Sequence, residues 1–267
     1  MSMALQIAID GLPATTEILT QLALVNYGAY TSFRVEDGAV RGLDLHLARL
    51  EASAVELFGE AVGEASLREM MRRAVADRDA CWLRVSLFSS ALGARTPDWQ
   101  GVPQVMTAVS PPGSPLAQSL RLQVQTYARE AAHLKHAATF GLIRARRAAR
   151  AAGFDDALFV YPDGRVSEGS LWNIGLVRGE HVTWPRAPML SGVTQSLLQN
   201  GLERVGLTGG AEPVARTDLD RFDAAFICNS ATPACAVSAI GERVLATAPD
   251  LIERLHAAWA SNPAQAI

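Results

Sequence analysis

The chain has 267 residues and a formal net charge of −3, from 24 basic and 27 acidic side chains. Hydrophobic residues make up 49% of the sequence and charged residues 19%, which is a globular composition and excludes a disordered chain. A sequence pI near 6.0 argues against a general binder of nucleic acid or of anionic membranes, because such proteins need a basic surface.

The first third of the sequence predicts small α/β units. Residues 29–35 are rich in aromatic and β-branched side chains, which favours a strand, and a turn is expected at Asp37 and Gly38. Between Leu43 and Phe58 the apolar residues recur at helical spacing, so we expect a helix with Asp44 in its first turn. Further elements are expected as a helix at 65–77 and strands at 82–88 and 102–109.

A proline-rich segment at residues 110–115 (SPPGSP) separates this part from the rest of the chain. Three prolines and a glycine within six residues are incompatible with a helix interior or a central strand. We therefore place a domain boundary there, which predicts a smaller domain at 1–112 and a larger domain at 113–267.

The second part of the sequence predicts a strand at 120–127 and then a long helix at about 137–152, which ends at Gly153. A further helix at 195–205 follows Gly192, Val193 and Thr194. The other expected elements are strands at 157–161, 172–177 and 181–184, two more strand–turn groups, and a helix at 249–260.

The cysteines and the longest uncharged run indicate the compartment. Three cysteines without a C-x-x-C pair argue against a disulfide framework or a zinc ribbon, so we expect no metal and a reducing compartment, the cytoplasm. The N-terminal residues lack the basic segment of a signal peptide. The uncharged run 224–241 contains polar residues and many alanines, so we interpret it as a strand, a turn and a strand rather than a membrane span.

The basic residues are very unevenly divided, since 23 of the 24 are arginines and Lys135 is the single lysine. Codon bias in a GC-rich genome explains the arginines, but it does not explain where the remaining lysine lies. An amine can form an imine, whereas a guanidinium stays protonated and cannot. Lys135 comes between a predicted strand and a predicted long helix, a junction where functional residues are often placed. It is therefore a candidate for chemistry that arginine cannot perform.

Three weaker signals accompany the lysine. Glu168 lies between a predicted turn and an apolar strand, where a surface acid is the commoner explanation. The helix start at Gly192 offers free backbone N–H groups and a nearby threonine hydroxyl, which suit a phosphate, although such residues are usually plain helix caps. Arg49 is one of 23 arginines, and a solvated side chain is the ordinary interpretation.

In their order and spacing, these pieces resemble the class IV aminotransferase family, the pyridoxal 5′-phosphate (PLP) enzymes of fold type IV. That family includes branched-chain and D-amino-acid aminotransferases and aminodeoxychorismate lyase. The resemblance covers about residues 10–256: GAYTSFRVEDG and HLARL resemble the N-terminal block, LKHAATFG through SEGSLWNIGLV the central block, and LSGVTQSLL and FICNSATP the phosphate-binding segments. It implies an α/β (α+β) fold with a small N-terminal α/β domain, a larger C-terminal domain with a barrel-like sheet, and a homodimer.

The resemblance also implies roles for individual residues. Lys135 matches the Schiff-base lysine, which would hold PLP as an internal aldimine and move a proton between Cα and C4′. Glu168 matches the acid that faces the pyridine nitrogen and keeps the ring protonated. Arg49 matches the arginine that binds the cofactor phosphate. The implied cofactor site is completed by Asn173, Gly192, Val193, Thr194 and Ser230, and the implied substrate side consists of Tyr30, Arg95 and Ala231.

Several positions depart from the family pattern. Phe140 stands five residues after the lysine, where branched-chain enzymes carry a tyrosine, and Gln195 replaces the usual arginine. The common asparagine shortly after the lysine is missing from 136–139, and the arginine- and histidine-containing loop of D-amino-acid enzymes is not evident at 86–95. The cofactor site is still expected, whereas the substrate class stays open.

Three functions follow from the sequence as alternatives. The first is an aminotransferase that uses an amino acid or amine as donor and a keto compound as acceptor. The second is a 4-amino-4-deoxychorismate lyase, which eliminates pyruvate in the folate and aminobenzoate branch, and the residues at 228–229 and 135–136 resemble it slightly. The third is a relative that binds PLP or a partner without turnover. No nucleic acid and no membrane is expected as a partner.

Overall fold

The computed structural model describes residues 5–76, 78–113 and 119–267. These residues divide into two compact units. The first unit contains the described residues up to Gly113 together with Leu134–Ala138 and Ala264–Ile267. The second contains the described residues of 119–133 and Thr139–Pro263. The expected proline-rich linker at 110–115 and the expected helix at 65–77 each include residues outside the described ranges.

The elements of the first part of the chain alternate between strands and helices. The strands include the one expected near residue 29, and the helix expected at Leu43–Phe58 is found with the same bounds. In chain order the elements are β1 Gln6–Ile9, β2 Leu12–Pro13, α1 Thr16–Leu24, β3 Ala29–Glu36, β4 Ala39–Arg41, α2 Leu43–Phe58, α3 Glu64–Val75, β5 Ala80–Phe88 and β6 Gln104–Ser110.

The second part of the chain is richer in strands. Short 3₁₀ turns cover Leu202–Val205 and Arg216–Arg221. The other elements are β7 Ser119–Thr126, α4 Phe140–Ala151, β8 Asp156–Val160, β9 Val166–Gly169, β10 Asn173–Arg178, β11 His181–Pro185, α5 Val193–Gly201, β12 Thr208–Glu212, β13 Ala224–Asn229, β14 Thr232–Ile240, β15 Arg243–Val244, α6 Pro249–Ala260 and β16 Ala264–Ala266.

The sheet of the first unit has the strand order β16-β4-β3-β5-β6-β1-β2 among the described residues, and its pairs are antiparallel. Helix α2 packs on one face because its apolar positions Leu43, Leu47, Leu50 and Phe58 recur at helical spacing and are all buried. Along each strand, side chains that face α2 alternate with side chains on the opposite face of the sheet. The sheet therefore has one face in the core and one face that can carry polar groups.

The sheet of the second unit is mixed, with the order β12-β11-β10-β13-β14-β7-β8-β9 and β15 beside β14. Strand β7 runs parallel to both β14 and β8, and β12 runs parallel to β11. Strand β9 ends the hydrogen-bonded order, yet it contacts β10 and β11 near the other end. The sheet therefore curls, as the predicted barrel-like sheet requires.

The long helix after the lysine is shorter than predicted. Helix α4 begins at Phe140 and not near residue 137. The Ala137 N–H donates to the Gly28 carbonyl at 2.7 Å, and the Tyr30 N–H donates to the Lys135 carbonyl at 2.9 Å. This backbone pairing with the start of β3 holds residues 135–137 in an extended conformation, so the helix can begin only after it.

Helix α5 begins and ends earlier than predicted. Its first residue is Val193, because the Ser196 N–H already donates to the Gly192 carbonyl at 3.0 Å. It ends at Gly201, where the backbone of α6 lies so close that a Cβ atom would be 2.1 Å from the Ala258 carbonyl oxygen. The 3₁₀ turn Leu202–Val205 continues from that point.

The uncharged run 224–241 forms β13, a turn and β14, as predicted. Within the described residues, no helix combines the length and the hydropathy that crossing a membrane requires.

Candidate functional site

Lys135 lies in the first unit, in the connection between β7 and α4. The backbone on both sides of it pairs with the first residues of β3, including a bridge between Ala29 and His136. The side chain is half-buried, and its Nζ lies 4.9 Å from the centroid of the Tyr30 ring. The single lysine is therefore anchored through its main chain and directed at an aromatic side chain of the sheet.

Tyr30 brings a second cation to the lysine. The Arg84 guanidinium, on the neighbouring strand β5, lies 3.6 Å from the centroid of the same ring, and its Nε donates to Ser86 Oγ at 3.1 Å. The register pairs Tyr30 with Ser86 and Ser32 with Arg84, so all four side chains share one sheet face. Burial lowers the pKa of Arg84, but the guanidinium keeps its charge at neutral pH.

Helix α2 supplies Arg49 and a buried histidine one turn before it. His46 is 2% exposed, its Nδ1 lies 2.6 Å from Thr31 Oγ1, and its ring packs on Phe33 with centroids 4.6 Å apart. Burial, and then the positive charges of Arg49 and Lys135, lower the pKa of His46 well below its ordinary value. The imidazole is therefore neutral at physiological pH. We call Lys135, Tyr30, Arg84, His46 and Arg49 the lysine cluster.

Glu168 lies on β9 in the second unit and is almost fully buried. Arg129 Nε donates to its Oε1 at 3.0 Å, and both side chains are 8% exposed. The Leu190 N–H donates to Oε2 at 3.1 Å. A buried carboxylate needs such partners, because an unpaired charge in the interior is strongly unfavourable. Glu168 is thus a buried acid that a guanidinium and a backbone N–H hold in a fixed position.

Asn173 links Glu168 to the start of α5. Its Nδ2 donates to the Leu190 carbonyl at 2.9 Å, so the Leu190 residue is bound at both its N–H and its C=O. A Cβ atom at Gly192 would lie 2.0 Å from Asn173 Oδ1, so only glycine allows this approach. We call Glu168, Arg129, Asn173, Leu190 and Gly192 the glutamate cluster.

The donors near Gly192 fit a phosphate-bearing cofactor such as PLP. Helix α5 begins there without a side-chain cap, which leaves the first N–H groups of the helix, including those of Val193 and Thr194, without helical partners. In the described part of the chain, Thr232 Oγ1 is buried and has no hydrogen-bond partner. Asn173 opens β10 opposite Cys228, just before the turn that leads to Thr232. Amides, a hydroxyl and a helix start are the groups that bind phosphate in proteins.

The remaining expected site residues lie at exposed or half-buried positions. Ser230 and Ala231 belong to the β13–β14 turn, which Asn229 orders by accepting from the Ala231 and Thr232 N–H groups at 3.0 and 2.9 Å. Arg95 is exposed on the loop between β5 and β6. Phe140, the residue in place of a tyrosine, is 77% exposed at the start of α4.

The structure adds two arginines that the sequence did not single out. Arg129 pairs with Glu168, and Arg84 stacks on Tyr30. Neither lies in a recognisable motif, and each is one of 23 arginines, so the sequence carried no signal for them. The alternation of β5 could have placed Arg84 and Ser86 on one face, but that pattern does not reveal which face carries the lysine.

The sequence matches the family described as amino-transferase class IV over residues 28–240, most of the chain. The chain belongs to the class IV aminotransferase family. This confirms the family predicted from the sequence, and with it an enzyme that uses PLP. No protein of curated function matched the sequence.

Solved structures with this fold include proteins described as each of the two expected enzymes. A branched-chain aminotransferase from Thermoproteus uzoniensis with norvaline has a TM-score of 0.81 at 23% identity, over 97% of this chain and 94% of the other. A hypothetical aminotransferase from Mycobacterium tuberculosis in its PLP-bound form has 0.77 at 20%, over 96% and 99%. A Legionella pneumophila protein described provisionally as a 4-amino-4-deoxychorismate lyase has 0.76 at 21%, over 88% and 91%. The predicted fold class is confirmed.

Proposed function

We propose that this protein is a PLP-dependent aminotransferase that acts on an amino acid or amine, with Lys135 as the residue that carries the chemistry. The observation that supports this most is the placement of the single lysine. Lys135 is half-buried, anchored to β3 by its backbone, and lies close to Tyr30 among charged and polar groups. An amine in such a place can act as nucleophile and as proton carrier, which a guanidinium cannot.

PLP, when bound, supplies a conjugated ring that accepts electron density from the substrate bond that is broken. Glu168 would hold a proton on the ring nitrogen, because a fixed carboxylate favours the protonated form of a nitrogen that faces it. Arg129 and the Leu190 N–H keep that carboxylate in place. The proposed phosphate ligands are the residues named above on α2, at the start of α5 and in the β13–β14 turn, namely Arg49, Gly192, Val193, Thr194 and Ser230.

The amine of Lys135 would move a proton to and from the substrate Cα. Tyr30 and Arg84 would orient the substrate, because a guanidinium beside a tyrosine ring and a serine hydroxyl binds a carboxylate well. Neutral His46 adds no third positive charge beside Lys135 and Arg49. Arg95 and Ala231 remain proposed contacts on the substrate side.

The oligomeric state, the compartment and the domain division are further proposals. A homodimer is supported by the family resemblance. The cytoplasm is supported by the cysteines Cys81, Cys228 and Cys235, which are all buried thiols. The division at 112/113 is supported by the prolines at 111–112. We propose the second domain, 113–267, as the main PLP-binding part.

The test is a panel of amino donors and keto acceptors with the purified, PLP-loaded protein. We expect at least one donor to convert the visible band of the loaded protein to that of the pyridoxamine form, and an acceptor to restore it. The Lys135→Arg variant is the matched control and should show no conversion. Formation of pyruvate and aminobenzoate from aminodeoxychorismate, without any donor half-reaction, would favour the lyase. A protein that gains no visible band with added PLP would contradict both enzymes.

A further inference from the structure

Asp156, on β8, is a buried acid that the proposed chemistry leaves without a role. It is 3% exposed. Its Oδ1 accepts from the Ala157 N–H at 2.8 Å and from Ser170 Oγ at 2.7 Å, and its Oδ2 accepts from Trp172 Nε1 at 3.0 Å. Arg146 Nε lies 3.4 Å from Oδ2 and compensates the charge. Both carboxylate oxygens therefore accept hydrogen bonds from neighbouring groups.

Two of the groups that Asp156 binds, the Ser170 hydroxyl and the Trp172 indole, belong to the turn that follows Glu168. Ser170 is 3% and Trp172 4% exposed. The Gly169 N–H donates to the Trp172 carbonyl at 2.9 Å, which closes the turn. The indole ring also covers Gly169, because a Cβ atom there would lie 2.2 Å from the ring. Trp172 is thus held between the Asp156 carboxylate and the Gly169 backbone.

This turn joins the two residues that bind Leu190. Glu168 comes directly before Gly169, and Asn173 comes directly after Trp172. Their side chains meet the N–H and the C=O of Leu190 at 3.1 and 2.9 Å. Any change in the shape of the turn moves these two side chains relative to each other. Hydrogen bonds lose strength steeply beyond ordinary distances and angles, so a small displacement breaks one of them.

We propose that Asp156 is a positioning residue for Glu168. Through Ser170 and Trp172 it fixes the turn at 169–172, so that Glu168 and Asn173 bind the Leu190 peptide at the same time. The inference rests on the proposed function for its effect on PLP, and on the hydrogen bonds alone for its effect on the turn.

The decisive variant is Asp156→Asn. An asparagine has one acceptor oxygen and one NH₂ group. In one orientation the NH₂ group faces the Ala157 N–H, and in the other it faces the indole N–H. Both of these groups can only donate, so one hydrogen bond is lost in either orientation. Trp172→Phe removes the indole N–H and keeps a ring over Gly169. The double variant should therefore recover part of the loss, because the conflict between two donors is gone.

Trp184→Phe is the matched control. Trp184 is also in the second unit, is 2% exposed, and donates from Nε1 to Gln199 Oε1 at 2.8 Å. Removal of this bond costs the same kind of interaction at Gln199 on α5, outside the Asp156 hydrogen bonds. Any effect that both variants share is general destabilisation.

Two measurements on these variants test the proposal. Titration of the apoprotein with PLP should give a Kd for Asp156→Asn that is at least about tenfold higher than that of the wild type. For Trp184→Phe the Kd should rise by less than about twofold. Hydrogen exchange in the apoprotein should show the Leu190 N–H exchanging about tenfold faster in Asp156→Asn and unchanged in the control. The second measurement needs no cofactor, so it tests Asp156 even if the wild-type protein binds no PLP and the proposed function fails.

The inference is overturned if Asp156→Asn leaves the Leu190 exchange rate as it is in the wild type. It is also overturned if PLP affinity and exchange change no more than in Trp184→Phe at the same loss of melting temperature. If Asp156→Asn does not fold, Trp172→Phe takes its place with an expected effect of about threefold on both measurements. Equality of Trp172→Phe with Trp184→Phe then contradicts the proposal.

Discussion

The lysine cluster and the glutamate cluster are held in place by different interactions. In the glutamate cluster, the Glu168 and Arg129 side chains are 8% exposed. Hydrogen bonds of 2.9–3.1 Å join Arg129 to Glu168 and join both Glu168 and Asn173 to the Leu190 backbone. In the lysine cluster, Lys135 is half-buried and its Nζ lies 4.9 Å from the Tyr30 ring, with Arg84 on the same ring. The glutamate cluster is fixed by buried directional bonds around one carboxylate, whereas the lysine cluster combines cation contacts on the Tyr30 ring with the His46–Thr31 and Arg84–Ser86 hydrogen bonds.

This difference suits two different tasks. A carboxylate that keeps a proton on a ring nitrogen must not move, so directional bonds in a buried place are appropriate. An amine that alternates between bond formation and proton transfer must be able to change its position. A cation on an aromatic face is attracted without a strict direction, which permits that movement. Variants in the two clusters should therefore fail in different ways.

The largest expected effect is that of Lys135→Arg. The charge and most of the side-chain volume remain, so the fold should persist, whereas turnover should fall by at least about 10⁴-fold because a guanidinium cannot form an imine. Arg147→Lys, at an exposed position on α4, is the control and should leave activity unchanged. The measurement is the rate of the donor half-reaction beside a thermal melt. Full activity in Lys135→Arg would make the central inference wrong.

The next largest effect is expected for Arg129→Met, which leaves the Glu168 carboxylate buried without its cation. We expect the free energy of unfolding to fall by about 3–5 kcal/mol, measured by urea denaturation. The exposed pair of Arg165 and Asp163 is the control, and Arg165→Met should leave the free energy of unfolding nearly unchanged, because an exposed ion pair is screened by solvent. The double variant Arg129→Met/Glu168→Leu should recover stability without recovering PLP binding. Equal losses in Arg129→Met and Arg165→Met would contradict a fixed glutamate cluster.

A smaller effect is expected for Arg84→Met on the lysine cluster. Loss of a charge-assisted bond to a substrate carboxylate should raise KM by about 10–100-fold and change kcat much less. Arg34→Met, on the neighbouring strand β3, is the control, because Arg34 is exposed and pairs with Glu36. Steady-state kinetics with a carboxylate donor and with an amine that lacks the carboxylate show whether the Arg84→Met effect depends on that carboxylate. An equal rise in KM for both donors would remove Arg84 from the substrate side.

The neutral histidine of the lysine cluster predicts a pH dependence. The folded pKa of His46 lies below the ordinary value of 6.5, so the unfolded chain binds more protons as the pH falls below 6.5. The free energy of unfolding should therefore fall between pH 7 and pH 5, by up to about 1.4 kcal/mol per pH unit. His46→Gln should flatten this slope, and His133→Gln, at an exposed position, should not. An unchanged slope in His46→Gln would contradict a buried neutral imidazole.

The smallest expected effect concerns the start of α2, the helix that carries His46 and Arg49. Gly42 provides no side-chain cap, and Gln265 Oε1 instead accepts from the Asp44 N–H at 2.9 Å. Gln265→Met should lower the free energy of unfolding by about 1 kcal/mol, because the helix loses a cap. Gln100→Met, at an exposed loop position, should have no measurable effect. Equal unfolding free energies for the two variants would show that the cap does not contribute.

The sequence predicted elements best where periodicity and end signals agree. The bounds of α2 and α6 matched their expected ranges, because each has an amphipathic pattern and a clear start, such as Pro249 at the first turn of α6. The start of α4 was wrong because residues 135–137 pair with β3, which lies more than a hundred positions earlier in the chain. Pairing over such a distance leaves no local signal. The strand β16 was missed for the same reason, since its partner β4 lies more than two hundred positions earlier.

The candidate site shows the same division. Lys135 could be selected from composition, since it is the one residue of its type. Glu168 and the helix start at Gly192 could be selected only together, as parts of a resemblance. Arg129, Arg84 and the Asp156 network have no sequence signal, because their importance comes from which side chains the folded chain brings next to them.

The central claim is that Lys135 forms the covalent link to the cofactor, and peptide mapping after borohydride reduction tests it most directly. The PLP-loaded protein is reduced, digested and analysed by mass spectrometry, with Lys135→Arg treated in parallel. We expect the visible band to be lost, a single pyridoxyl adduct on the peptide that contains Lys135, and no adduct in the variant. A yellow protein that reduction leaves without any adduct on Lys135 would contradict the claim.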